Sequence, residues 1–157
     1  MNTKPRSTFV YVSYIRTTPE KLWSALTTPE FMKQYWFGMN FECDWKAGST
    51  WRMSFEDGRT ADDGVIVESD PPKRLVIRWF NRWKPEMAAE GESLCTFEIS
   101  EDGTATKLSI THTIDVAESK FITAVSGGWP KIISNLKSLL ENGAIALQDP
   151  YPNPGKP

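Results

Sequence analysis

The chain has 157 residues, which suits one domain with a sizeable core. About two-fifths of the residues are hydrophobic and seven are tryptophan, which excludes a disordered chain. The formal net charge of -2 with no basic block makes nucleic acid a poor candidate partner.

Residues 8–15 are rich in β-branched and aromatic types. Phe9, Tyr11, Ser13 and Ile15 fall on one face, and Val10, Val12 and Tyr14 on the other, which predicts a strand with apolar groups on both sides. The capping-box spacing of Thr17 and Glu20, with Pro19 between them, predicts a helix start, with Leu22, Trp23 and Leu26 on its apolar side. The same tetrapeptide returns at Thr27 to Glu30. It predicts a second short helix carrying Phe31, Met32, Tyr35 and Trp36, which ends at Gly38.

From Met39 to Ile114 the pattern has period two. Met39, Phe41 and Cys43 alternate, then Trp51, Met53 and Phe55. Asp57-Gly58 and Asp63-Gly64 bracket a loop, after which residues 65–68 form a strand that stops at Asp70-Pro71-Pro72. Further strands carry Leu75, Ile77 and Trp79, then Cys95, Phe97 and Ile99, then Leu108, Ile110, His112 and Ile114. That makes a meander of six strands, seven with the first. Residues 82–92 are too polar for core and too long for a tight hairpin.

Phe121, Val125, Trp129, Ile132, Ile133, Leu136, Leu139 and Leu140 repeat at helical spacing, with Lys131, Asn135, Lys137 and Glu141 between them. Asn142-Gly143 marks the stop. Gly127 and Gly128, followed by Pro130, place the uninterrupted start near Gly128. The expected fold is α+β: a curved seven-stranded antiparallel sheet, two short helices, and a long C-terminal helix that covers the sheet's apolar face. The domain is expected over residues 8–145, with loosely ordered tails at 1–7 and 146–157.

This order resembles the helix-grip proteins of the SRPBCC, or START-like, superfamily. Within it, the chain resembles the homologues of the heat-shock-protein-90 ATPase activator. The resemblance runs from Phe9 to Gly143. It is carried by Ile15 with Thr18-Pro19-Glu20-Lys21-Leu22-Trp23-Ser24-Ala25-Leu26, by Gly48, and by Gly64-Val65-Ile66-Val67-Glu68 with Pro71-Pro72-Lys73-Arg74-Leu75. Trp79, Thr106-Lys107-Leu108 and Gly127-Gly128-Trp129-Pro130 continue it to Leu139-Leu140-Glu141-Asn142-Gly143. The resemblance implies a deep cavity between sheet and long helix. Its members include lipid and polyketide binders and cyclases. Chaperone activation is not carried over, because the eukaryotic co-chaperone has a further N-terminal domain for which this length leaves no room.

No motif of a hydrolase, dinucleotide or phosphate site occurs. Cys43 and Cys95 form no CxxC pair, and no zinc spacing is present, so neither metal nor cofactor is expected. No signal-peptide pattern and no apolar run of ~18 residues occurs, so a cytosolic protein without membrane contact is expected. By strand parity His112 shares the inner face with Leu108, Ile110 and Ile114. There it is either a hydrogen-bonded core histidine or a polar handle for a ligand. Trp51, Met53, Phe55 and Trp79 are inner-face residues that fill the core or line the cavity. Trp129 and Phe121 belong near the start of the last helix, and Tyr35 and Trp36 near the mouth. Glu56, Asp57, Asp62 and Asp63 read as a solvated turn.

The function these features favour is binding of a hydrophobic or aromatic small molecule, as carrier or sensor. A cyclase- or hydrolase-type enzyme using His112 and a chaperone or protein-interaction domain are the alternatives. Exposed Val10, Val12 and Tyr14 would leave room for a homodimer.

Overall fold

The computed structural model describes residues 5–148. Strand β1 (Ser7–Ile15) leads into α1 (Pro19–Thr27) and α2 (Pro29–Tyr35). Strands β2 (Asn40–Cys43), β3 (Thr50–Ser54), β4 (Thr60–Asp70) and β5 (Arg74–Asn81) follow, then a one-turn helix α3 (Pro85–Ala88). Strands β6 (Ser93–Asp102) and β7 (Ala105–Ile114) precede the long helix α4 (Lys120–Asn142). The seven strands form one antiparallel sheet in the order β1-β7-β6-β5-β4-β3-β2. Register shifts at Met53/Ser54 and Ile66/Glu68 mark irregularities of the kind that bend a sheet.

Thr18, not Thr17, caps α1: its hydroxyl accepts from the Lys21 N–H at 3.2 Å. Glu20 therefore stands one position too early to close a capping box. It sits in the first turn, where a carboxylate favours the helix dipole. Strand β1 alternates as expected, with Val10, Val12 and Tyr14 exposed on its outer side.

Helix α4 begins eight residues before the expected start. Ser119 caps it by accepting from the Ile122 N–H at 3.0 Å, and the helix runs through Gly127, Gly128 and Pro130. Pro130 lacks an N–H, so one rung of the helical ladder is missing there. Burial of Phe121 and Ile122 before the glycines, and of Trp129, Ile132, Ile133 and Leu136 after them, holds the helix together across that gap. Leu139 and Leu140 are only half-buried, whereas Asn135, expected on the polar face, is fully buried. Its amide donates to Leu147 O at 2.9 Å and accepts from the N–H groups of Ala146 and Leu147 at 3.0 and 2.7 Å, so the chain after α4 folds back onto the helix. Residues 1–4 and 149–157, most of the expected tails, lie outside the described residues.

Residues 82–92 are not a free excursion. Glu90 reaches the start of α4: Oε1 accepts from Ser119 Oγ at 2.5 Å and from the Phe121 N–H at 3.3 Å, and Oε2 accepts from the Lys120 N–H at 2.8 Å. Burial pushes the Glu90 carboxyl up, but these bonds outweigh it and hold it below the usual carboxylate range.

Candidate functional site

Two parts of the α4 stripe meet the sheet differently. Toward the C-terminal end, Trp129, Ile133 and Leu136 are large and fill the space against the sheet. One and two turns before Ile132, Gly128 and Ala124 stand four residues apart and present almost no side chain. Opposite them a cavity of about 190 Å³ remains. Its walls are Trp36 after α2, Met53 on β3, Trp79 on β5, Phe121, Val125, Trp129 and Ile132 on α4, and Trp83 and Met87 from the 82–92 segment. The aromatic walls brace one another. Trp36 meets Trp129 edge-on at 5.2 Å and stacks on Trp79 at 6.2 Å, and Trp79 meets Trp129 at 5.8 Å.

One carboxyl lines this cavity. Asp62 on β4 lies in register between Met53 and Asn81, and is 5% exposed. Its Oδ2 accepts from Trp79 Nε1 at 2.5 Å. Asn81 uses its carbonyl oxygen to accept from the Lys84 N–H at 3.0 Å, which leaves its NH2 for Asp62. Burial raises the Asp62 pKa to about 7 in spite of the Trp79 and Asn81 hydrogen bonds, and neighbouring Asp63 adds to the rise. Asp62 is thus a strand residue, not part of a solvated turn. Period two counted back from Ile66 through Gly64 would have put it inside. The Asp63-Gly64 pair reads as a turn and hides this. Gly64 is there for another reason: a Cβ on it would meet Arg78 O at 1.8 Å and Trp51 Nε1 at 2.8 Å. The bare glycine lets the Trp51 indole cross the strand and donate to Arg78 O at 3.1 Å.

Five of the nine residues singled out from sequence line the cavity: Trp36, Met53, Trp79, Phe121 and Trp129. Tyr35 is fully buried and gives its hydroxyl proton to Ala25 O at 2.9 Å, so it anchors α2 to α1 and is not at the mouth. Tyr35 and Trp51 border a separate apolar void of about 20 Å³. Phe55 lies off the cavity wall and packs edge-on against Trp83 at 5.2 Å. Trp83 and Met87 had no periodic signal, because they lie in an irregular segment.

His112 does not line the cavity. It is fully buried behind Trp79, Trp129 and Phe121, with ring centroids 5.3, 6.2 and 5.1 Å away. Both ring nitrogens are engaged. Trp129 Nε1, which can only donate, approaches Nδ1 at 3.1 Å. Ser93 gives its hydroxyl proton to Trp79 O at 3.0 Å, so at its 3.0 Å contact with Nε2 it accepts. The ring is therefore the neutral Nε2–H tautomer, and burial lowers its pKa to about 3. Its place is in the core, hydrogen-bonded through both nitrogens, one of them to the Trp129 indole. Among the described residues no group of three His, Cys, Asp or Glu side chains is arranged to hold a metal ion. No described helix is long and apolar enough to cross a membrane.

Residues 16–141 match the family described as Activator of Hsp90 ATPase homolog 1-like protein. The chain belongs to that family. Solved structures agree on the fold. A Mesorhizobium loti protein is 24% identical, with a TM-score of 0.76 over 88% of this chain and 100% of its own. The Aha1 dimer from Colwellia psychrerythraea is 21% identical, with a TM-score of 0.72 over 87% of this chain and 98% of its own. An HSP90 activator from Plasmodium falciparum is 23% identical, with a TM-score of 0.69 over 85% of this chain and 95% of its own. No curated protein matches the chain.

Proposed function

We propose that this protein binds a small hydrophobic or aromatic molecule in the cavity between α4 and the β3–β5 part of the sheet, as a carrier or sensor. The observation that carries this reading is the cavity of about 190 Å³ walled by Trp36, Trp79, Trp129 and Phe121. Apolar cavities of ~150 Å³ already accept a benzene ring, and apolar walls with few polar groups are the usual make-up of a ligand site. Among the described residues Asp62 is the single titratable group on the wall, which favours binding over a cyclase- or hydrolase-type reaction needing an acid and a base together. The outer side of β1, with Val10, Val12 and Tyr14 exposed, offers a surface for a second copy of the chain, and one solved relative is a dimer.

Tryptophan emission is the direct assay, since Trp36, Trp79, Trp83 and Trp129 all line the cavity. Small aromatic compounds should quench it saturably in the wild type. Gly128→Leu, which fills the cavity from α4, should lose that response while the protein stays folded. A screen without quenching, together with a native mass spectrum of the purified protein showing no added mass, would sink the proposal.

A further inference from the structure

Asp62 stands out within the cavity. Every other lining side chain is apolar or neutral, and the four indoles and the Phe121 ring present π faces or edges around one buried carboxyl. The groups that touch Asp62 decide what it can recognise. Trp79 Nε1 donates to it at 2.5 Å, and the Asn81 NH2 faces it. Both treat it as an acceptor. A carboxylic acid meant to hand its own proton to a ligand carbonyl would not be met by two donors. An ionised carboxylate so placed keeps further lone pairs, which only a donor can use.

We propose that the cavity selects a small organic cation, an aryl- or alkylammonium, whose positive head pairs with Asp62 and lies among the rings of Trp36, Trp79, Trp83 and Trp129. This rests on the cavity being the binding site at all. The aromatic faces attract an ammonium group, most strongly where water is excluded. Burying a carboxylate without a counterion is costly, and a cationic guest removes that cost whereas a neutral one does not. None of the influences on Asp62 is a protein cation. From β3 it faces Met53, and from β5 it faces Trp79 and Asn81. Across the cavity α4 offers Ala124, Val125 and Gly128, with no charge. Asp63, next along β4, is engaged by Arg82 at 2.6 Å. Arg59 at this end lies over the Phe55 ring, and Lys84 sits with its ammonium 4.5 Å from the Trp83 ring centroid, which shows that this ring already accepts a positive charge.

The test compares phenyltrimethylammonium, whose charge does not titrate, with tert-butylbenzene, its neutral carbon isostere. Binding is read by tryptophan quenching at pH 6 and pH 8. The wild type should bind the cation at least tenfold tighter than the isostere at pH 8. Between pH 8 and pH 6, as Asp62 takes up its proton, cation binding should weaken by about tenfold. The isostere should show no such loss. Asp62→Asn should bring the two ligands to similar affinity and abolish the pH effect. The two-ligand, two-pH comparison in the wild type stands even if that variant does not fold. Equal affinities at pH 8, or pH-independent cation binding, overturn the assignment. If only the isostere binds, the hydrophobic cavity stands and the cation falls. If neither binds, both fall.

Discussion

His112 and Asp62 are both buried titratable groups, and both are hydrogen-bonded to an indole of the same tryptophan cluster. They lie in regions built on opposite principles. Around His112 the sheet and α4 interlock, each ring nitrogen has a protein partner, and the ring is fully buried. Around Asp62 the helix has shrunk to Ala124 and Gly128, and the carboxyl faces a void. Burial and polarity alone do not mark a binding residue. What distinguishes the two is whether the protein has used up the group's hydrogen-bonding capacity.

The largest expected effect contrasts the packing of the two regions. Leu136, fully buried in the sealed region, should cost ~2–5 kcal/mol on replacement by alanine, measured by urea denaturation. Val125→Ala, at the cavity wall, removes a half-buried group beside existing space and should cost no more than about 1 kcal/mol. Similar losses for both would erase the contrast.

The pH dependence of stability should separate the groups next. His112 stays unprotonated in the fold down to about pH 3 but takes a proton near 6.5 when unfolded, so between these values acid favours unfolding. Asp62 keeps its proton in the fold up to about pH 7 but loses it near 3.8 when unfolded, so across that window acid favours folding. From about pH 4 to 6.5 the two slopes, each at most ~1.4 kcal/mol per pH unit, oppose one another. Asp62→Asn should expose the histidine slope, so that the variant loses stability on acidification over this range while the wild type changes less. Parallel profiles would show that one of the two groups does not titrate as its surroundings demand.

A smaller effect concerns the segment that carries Trp83 and Met87. Glu90→Ala removes the acceptor for Ser119 Oγ and two α4 N–H groups, and should lower stability by ~1 kcal/mol. Protection of the 120–122 amides against hydrogen exchange should fall with it. Unchanged protection would mean that Ser119 alone holds the helix start. The smallest effect is none: chelator treatment should leave the melting temperature where it was, and a clear drop would reveal a metal site.

Much of the fold could be read from sequence, because alternation along β5, β6 and β7 and the stripe on α4 are repetitive signals that burial makes necessary. Trp129, Trp79 and Phe121 were recognisable at the site for the same reason. Asp62 was not, since Asp-Gly ordinarily signals a turn and masks the period two that runs back from Ile66; the passage of the Trp51 indole over Gly64 is what requires glycine there. Nor was the start of α4, although Ser119 is a local cap, because Glu90 adds acceptors from thirty residues away, and glycine and proline weigh locally against a helix that burial on both sides sustains. The dual engagement of His112 depends on Ser93 and Trp129, which strand parity cannot bring together.

The clasp made by Glu90 bears on timing. Trp83 and Met87 border one side of the cavity and Phe121 another, and the carboxylate ties the segment carrying the first two to the helix turn carrying the third. For the proposed guest, undoing that clasp would free the segment that carries Trp83 and Met87 from the helix turn that carries Phe121. Loosening it should accelerate arrival and departure together and leave the equilibrium constant nearly untouched. If the cavity holds a guest as proposed, Glu90→Ala should shorten its stay without changing how well it fits among the rings.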